Sequence, residues 1–300
     1  DFVKNVYIPD LLAVASFYKE WGGIGGCTNF LTYGEFPASD QEPESFYIPR
    51  GIIRQRNLGK IEMVDQQKVT EDVTRSWYVK SEPKHPFEGE TRPIEENPQY
   101  DPDKGQYSWA KAPRYDGLPC EVGPLARVLV AYAKGHTEIK PLVDSTLKQL
   151  DIPASALFST LGRTAAKGLE TVAIGEAMQG WVTELVENLK NGDTRTYQPY
   201  EMPESATGVG LTDVPRGAPG PWIRIEDGKI GNYQYVVPST WNLGPRDGAG
   251  NLSPVEEALI GTPVADPQKP LEVLRTVHSF DPCLACAIHT HDPDGNEISK

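Results

Sequence analysis

Near the end of the chain, Asp281-Pro282-Cys283-Leu284-Ala285-Cys286-Ala287-Ile288-His289 sets two thiols and an imidazole at regular three-residue steps, and the eleven residues THDPDGNEISK follow. Two cysteines separated by two residues can bind one metal ion together, because a turn after the first brings the second sulfur to the same side. A lone C-x-x-C is also compatible with redox use or with a loop that holds no metal. The thioredoxin-like version of redox use is a poor match, since no βαβ unit flanks the pair. A closed zinc site needs two more ligands; His289 or His278 can contribute, but the chain has no second cysteine pair. Pro282 is expected to restrict Asp281 to extended backbone and so to hold the turn. Cys27 and Cys120 stand alone and read as structural thiols. His85 and His278 read as hydrogen-bonded structural histidines.

The elements that must position this loop come from a chain of 300 residues, long enough to bury a substantial core without staples. Four cysteines do not form the dense pattern of a secreted disulfide scaffold. With 29 Lys+Arg against 42 Asp+Glu, the formal charge of -13 argues against nucleic acid or an anionic membrane surface as a partner. No apolar run approaches the ~20 residues of a membrane helix. The start has neither an initiator Met nor a leader-like apolar stretch, so the chain is expected to be part of a longer protein.

Val6 to Trp21 suits an amphipathic helix with Pro9 in its first turn, ended by GGIGG. Thr28 to Met63 is short-patterned, aromatic and broken by Pro and Gly, which predicts β-ribbon and loop. Glu82 to Pro119 predicts an irregular segment wrapped on a core by its aromatics. Helical periodicity dominates from Glu121 to Asn191, with Gly135 and Asn191-Gly192 as stops, and predicts a bundle. WIRIEDGKIGNYQYVV predicts a hairpin around Asp227-Gly228. A short helix, PVEEALIG, is expected before the cysteine loop.

DPCLACAIH resembles the C-terminal motif of the large, catalytic subunit of nickel-iron hydrogenases, and six further blocks match that family in order: CTNFLTYGEFP, YSWAKAPRYDGLPCEVGPLAR, VPRGAPGPW, VVPSTWNLGPRD, IGTPVADPQ and KPLEVLRTVHSF. The likeness is to uptake-type enzymes. It implies a mainly α, α+β fold that forms part of a nickel-iron hydrogenase large subunit. It also implies reversible heterolytic cleavage of H2 into protons and electrons.

By the same resemblance, Cys283 is a terminal nickel ligand and Cys286 bridges nickel to an iron that carries CO and two cyanides. His289 binds a magnesium or iron ion. Residues 1–289 then belong to the large-subunit domain, and 290–300 form a propeptide removed after His289, so the chain reads as the C-terminal part of an unprocessed precursor. Cys283 is the expected proton acceptor. Arg216 is positioned over the metal site and donates to one cyanide, Asp281 pairs with Arg216, Ser239 donates to the other cyanide, and Pro215 lines the pocket of the diatomic ligands. The implied partners are an iron-sulfur small subunit, a membrane cytochrome b, a maturation endopeptidase and nickel-insertion proteins. The implied location is the periplasmic side of the cytoplasmic membrane, or the periplasm. Where the family reads Pro-Arg-Gly-x-Leu-x-His-Trp, this chain has Pro219 and Pro221 at the Leu and His positions. Two other readings stay open: a metal-free structural relative from a respiratory complex, and a zinc-binding structural module.

Overall fold

The computed structural model describes residues 2–39, 41–42, 44–94, 105–197 and 199–283, with the backbone of 290–291 and 297–299. Three helices make the main body: α2 (Pro124–Ala133), α3 (Ile139–Leu150) and the long α4 (Thr160–Lys190). Each ends by the same device. A residue with positive φ (Gly135, Asp151, Gly192) lets the next amide reach back over the last turn, as in His136 N–H to Ala131 O (2.9 Å) and Asp193 N–H to Asn188 O (3.0 Å). At its start α4 is capped by Ser159, whose Oγ accepts the Gly162 amide at 2.9 Å. Helix α1 (Ile8–Ala15), preceded by a π-helical turn (Val3–Tyr7), packs on α4. The single helix expected over Val6 to Trp21 is thus divided, for the chain turns at Ser16–Phe17 before a 3-10 turn at Lys19–Gly22.

Strands are short and antiparallel throughout. β1 (Phe30–Thr32) pairs with β4 (Gly51–Ile53), which pairs with β5 (Ile61–Glu62). β2 (Glu35–Pro37) pairs with β3 (Phe46–Ile48), and β6 (Val69–Asp72) with β7 (Ala112–Tyr115). The predicted hairpin is present as β9 (Gly220–Glu226) and β10 (Lys229–Val236), with Asp227 and Gly228 both at positive φ as a tight two-residue turn requires. A third strand, β8 (Ser205–Val209), adds to β9 and was not visible in the sequence pattern, because its SATGV composition is neither apolar nor alternating. Three short helices follow: α5 (Pro238–Leu243), α6 (Pro254–Leu259) and α7 (Leu271–Ser279). The sequence predicted only α6; α7, not α6, leads into the cysteine loop.

Two apolar clusters hold these parts. One gathers α2, α3 and the first half of α4 with Phe30, Ile53 and Phe280; the other gathers Leu31, Tyr33, Tyr115, Trp222 and Trp241 beneath the strands. Each such fully buried large apolar side chain contributes about 1.5–3 kcal/mol. β1 and β4 serve both clusters, with Phe30 and Ile53 in the first and Leu31 and Ile52 in the second, and Leu125 to Ala131 of α2 are all buried. The architecture is the mainly helical, small-sheet α+β fold expected. Among the described residues no helix is long and apolar enough to cross a membrane.

Candidate metal centre

Two segments far apart in sequence meet at the predicted site. The first is the tight turn Val214-Pro215-Arg216-Gly217, closed by reciprocal bonds of 2.8 Å between the Val214 and Gly217 backbones. Its Gly217 has φ 132° and lies so close to Val122-Gly123 that a Cβ would fall 2.6 Å from Val122 Cγ2 and 2.8 Å from Gly123 N. Asn242 of α5 clamps Val122 from the other side, accepting its amide (3.0 Å) and donating to its carbonyl (2.9 Å). Pro219, one of the two departures from the family pattern, is buried, and Pro221 lies at the start of β9, where its carbonyl accepts the Gly210 amide. The turn beside Arg216 therefore forms with both prolines present.

The second segment is Asp281-Pro282-Cys283, at the end of α7. Asp281 has φ 57°, left-handed, where extended backbone was expected before Pro282. It follows the last turn of α7, which the Asp281 amide closes by reaching His278 O at 3.0 Å. The following Pro282 has no amide to make the second closing bond. A non-glycine residue at positive φ stores strain that its surroundings must hold. Arg216 Nε donates to the Asp281 carbonyl at 3.1 Å, so the bond that joins the two segments runs to the backbone and not to the Asp281 carboxylate predicted as its partner. Arg216 and Pro215 are exposed, while Asp281, Cys283 and Ser239 are half-buried. Ser239 sits in the first turn of α5, three residues before Asn242 and not in an isolated turn. Cys286 and His289 lie outside the described residues.

Buried charges that the sequence reading passed over support both segments. Arg127, fully buried in α2, makes a two-pronged pair with Glu170 and donates to Val214 O (2.8 Å) and Pro215 O (3.0 Å). It also lies near Glu35 (3.2 Å) and Asp213 (3.6 Å). Burial opposes its charge, but these three carboxylates more than offset that and raise its pKa. In turn, burial pushes Glu35 up to about 7 and Asp213 up to about 6, against the pull of Arg127. Arg163 in α4 grips Glu121 with two bonds of 2.8 Å and donates to Gly25 O and Cys27 Sγ. It also donates to Ser279 Oγ (3.4 Å), and its guanidinium stacks 3.7 Å over the Phe280 ring. Lys167, half-buried between them, is held below the usual ammonium range by burial, with Asp281 opposing and Arg163 and Arg216 adding to the effect. A signal for Arg127 existed in the sequence: a lone charge inside PLARVLVAYA leaves no apolar-free face on which it could reach water.

The other thiols behave differently from Cys283. Cys27 and Cys120 are buried, and burial pushes Cys120 up to about 12 and Cys27 well above the usual range, so both keep their protons. His85 is a structural histidine, with Nδ1 accepting the Phe87 amide and Nε2 facing Gln66 O at 3.0 Å. The His278 side chain is exposed. A cleft of about 380 Å³ lies elsewhere, between α1 and Phe158, and holds none of the predicted site residues.

Residues 1–289 match the nickel-dependent hydrogenase family, and the chain belongs to it. The uptake hydrogenase large subunit of Rhizobium leguminosarum bv. viciae is 45% identical over 326 residues, covering 100% of this chain and 54% of its own length. That of Bradyrhizobium diazoefficiens is 46% identical, with the same coverage. Among solved structures, the [NiFeSe]-hydrogenase of Dm. baculatum matches with a TM-score of 0.82 and 37% identity, over 96% of this chain and 57% of that one. The chain thus spans about half the length of the curated relatives it matches.

Proposed function

We propose that the complete protein is the catalytic large subunit of an uptake-type nickel-iron hydrogenase, which cleaves H2 heterolytically and reversibly and passes electrons to an iron-sulfur small subunit. The observation that carries this is the Arg216 Nε–Asp281 O bond, which sets a permanent guanidinium beside the Cys283 segment. The family match over residues 1–289 supports it.

The donor chemistry fits a nickel-iron group. Cys283 offers a half-buried thiol beside the positive charge of Arg216, and thiolates suit a soft divalent metal. Cys283, Cys286 and His289 would hold the metals, with His289 taking a magnesium or iron ion; the latter two lie outside the described residues. When bound, a nickel-iron group whose iron carries CO and two cyanides would supply Lewis-acid chemistry toward dihydrogen. Cys283 would help hold that group, and its Sγ would be the proton acceptor, since a metal-held thiolate stays basic. The Arg216 guanidinium donates a hydrogen bond to one cyanide and places positive charge over the reacting face. Pro215 walls the diatomic ligands, and the Ser239 hydroxyl donates to the second cyanide. Asp281 acts through its carbonyl, which fixes the direction of Arg216.

In this proposal the electrons leave through the small subunit to a membrane cytochrome b, on the periplasmic side of the cytoplasmic membrane. Nickel-insertion proteins load the site and a maturation endopeptidase then removes residues 290–300. The reading predicts one CO and two cyanide infrared bands from the complete large and small subunit complex, purified from its host. A blank spectrum from processed protein would refute it and leave the cysteines to another metal.

A further inference from the structure

Arg163, Lys167 and Glu170 are spaced i, i+4 and i+7 along α4, so they share one face of a single rigid helix. Arg163 reaches the segment before Cys283, through Ser279 Oγ and the Phe280 ring. Glu170 reaches the other segment through Arg127, which it grips with both oxygens and which donates to the carbonyls of Val214 and Pro215. Lys167 lies between them on the same face, half-buried. The contacts of Arg163 and Glu170 thus lead to the two segments that meet at the Arg216 Nε–Asp281 O bond. Helical rise fixes the separation of positions 163 and 170 at about 10 Å. Neither segment has regular secondary structure of its own at the meeting point, so a rigid element behind both is what can set their spacing.

We propose that this face of α4 is a ruler: Arg163 and Glu170 are positioning residues that hold the Cys283 segment and the Arg216 turn, respectively, at a fixed distance from each other. Its catalytic consequence rests on the nickel-iron reading above; the mechanical claim does not. The two arms make different bonds: Arg163 is braced by Glu121 and Gly25, whereas the hydrogen bonds of the Glu170 carboxylate among the described residues run to Arg127. Cutting one arm should therefore loosen one segment and spare the other.

Amide hydrogen exchange in the complete large and small subunit complex tests this. The reporters are the Gly217 amide, bonded to Val214 O, and the Phe280 and Asp281 amides, bonded to Val277 O and His278 O. Glu170→Gln should speed exchange at Gly217 roughly tenfold, the effect of losing one charge-assisted bond, with 280 and 281 unchanged. Arg163→Lys should do the reverse. If that variant does not fold, Ser279→Ala removes the hydrogen-bonded half of the same arm and leaves the Phe280 ring contact, and a smaller acceleration confined to 280 and 281 is required of it. Equal acceleration of both segments by either variant, or none in either, overturns the ruler. In the same samples Glu170→Gln should shift the cyanide bands, which a merely structural residue would leave in place. Absent bands in the parent would overturn the functional reading alone, since the exchange pattern still decides the ruler.

Discussion

A thiol can serve a metal only after it loses its proton and only where the metal can reach it, and burial sets two of the described cysteines apart. Cys27 and Cys120 are sealed in apolar surroundings that disfavour the thiolate, and Cys27 is further opposed by Glu121 despite the Arg163 guanidinium at 3.2 Å. Cys283 retains access to solvent. Under native conditions, iodoacetamide should label Cys283 in the metal-free chain while leaving Cys27 and Cys120 unmodified; equal labelling, read by peptide mass spectrometry, would contradict the burial of the latter two. The acids around Arg127 carry a second prediction. Burial holds the Glu35 carboxyl up at about 7, so between about pH 4 and 7 the folded chain keeps a proton that the unfolded chain has released. Stability must then fall as pH rises through that window, by about 1–2 kcal/mol from this group. Glu35→Gln should flatten the fall when urea denaturation is compared at pH 5 and pH 8, and an unchanged slope would exclude Glu35 as its source.

At the scale of elements, α4 depends on a close approach at its start. Gly162 sits in its first turn with its amide on Ser159 Oγ, and an added Cβ would lie 1.9 Å from Leu157 O, a backbone atom that cannot rotate away. Gly162→Ala should therefore destabilise the 300-residue chain by more than about 2 kcal/mol. Gly180, in the exposed second half of the same helix, has nothing within 4 Å of such a Cβ, and Gly180→Ala should stabilise by roughly 0.5–1 kcal/mol. Thermal melts showing both changes with the same sign would break this account. The helices and the β9–β10 hairpin were legible because caps, periodicity and a turn dipeptide are local signals. α7 was not picked out: LEVLRTVHS has apolar residues at helical spacing but follows KP without a side-chain cap, and it packs on α4 and α6. Asp281 was misread for a related reason. The rule for residues before proline is local, whereas the carbonyl orientation that Arg216 needs is imposed from 65 residues away.

The whole molecule converges several distant segments on one place: 27–29 and 119–123 against α2 and α4, the turn at 214–217, Asn242, and the end of α7. The motif residues were legible in the sequence as a family pattern, but the buried charges that hold them were not, since pairs such as Arg127–Glu170 and Arg163–Glu121 are set by tertiary packing alone. Removing one partner of such a pair typically costs about 3–5 kcal/mol. The convergence also bears on processing. Among the described residues the Cys283 segment is the last part of the chain tied to this framework, through Phe280 and Arg216, and the family match covers residues 1–289. If residues 290–300 are a propeptide, the protein isolated from its native host with nickel in place should give an intact mass ending at His289, and the precursor should accumulate when nickel is withheld. A nickel-loaded, active large subunit that retains Lys300 would show that the tail is part of the working enzyme, and the maturation reading of those residues would fall while the site at Cys283 and Arg216 stood.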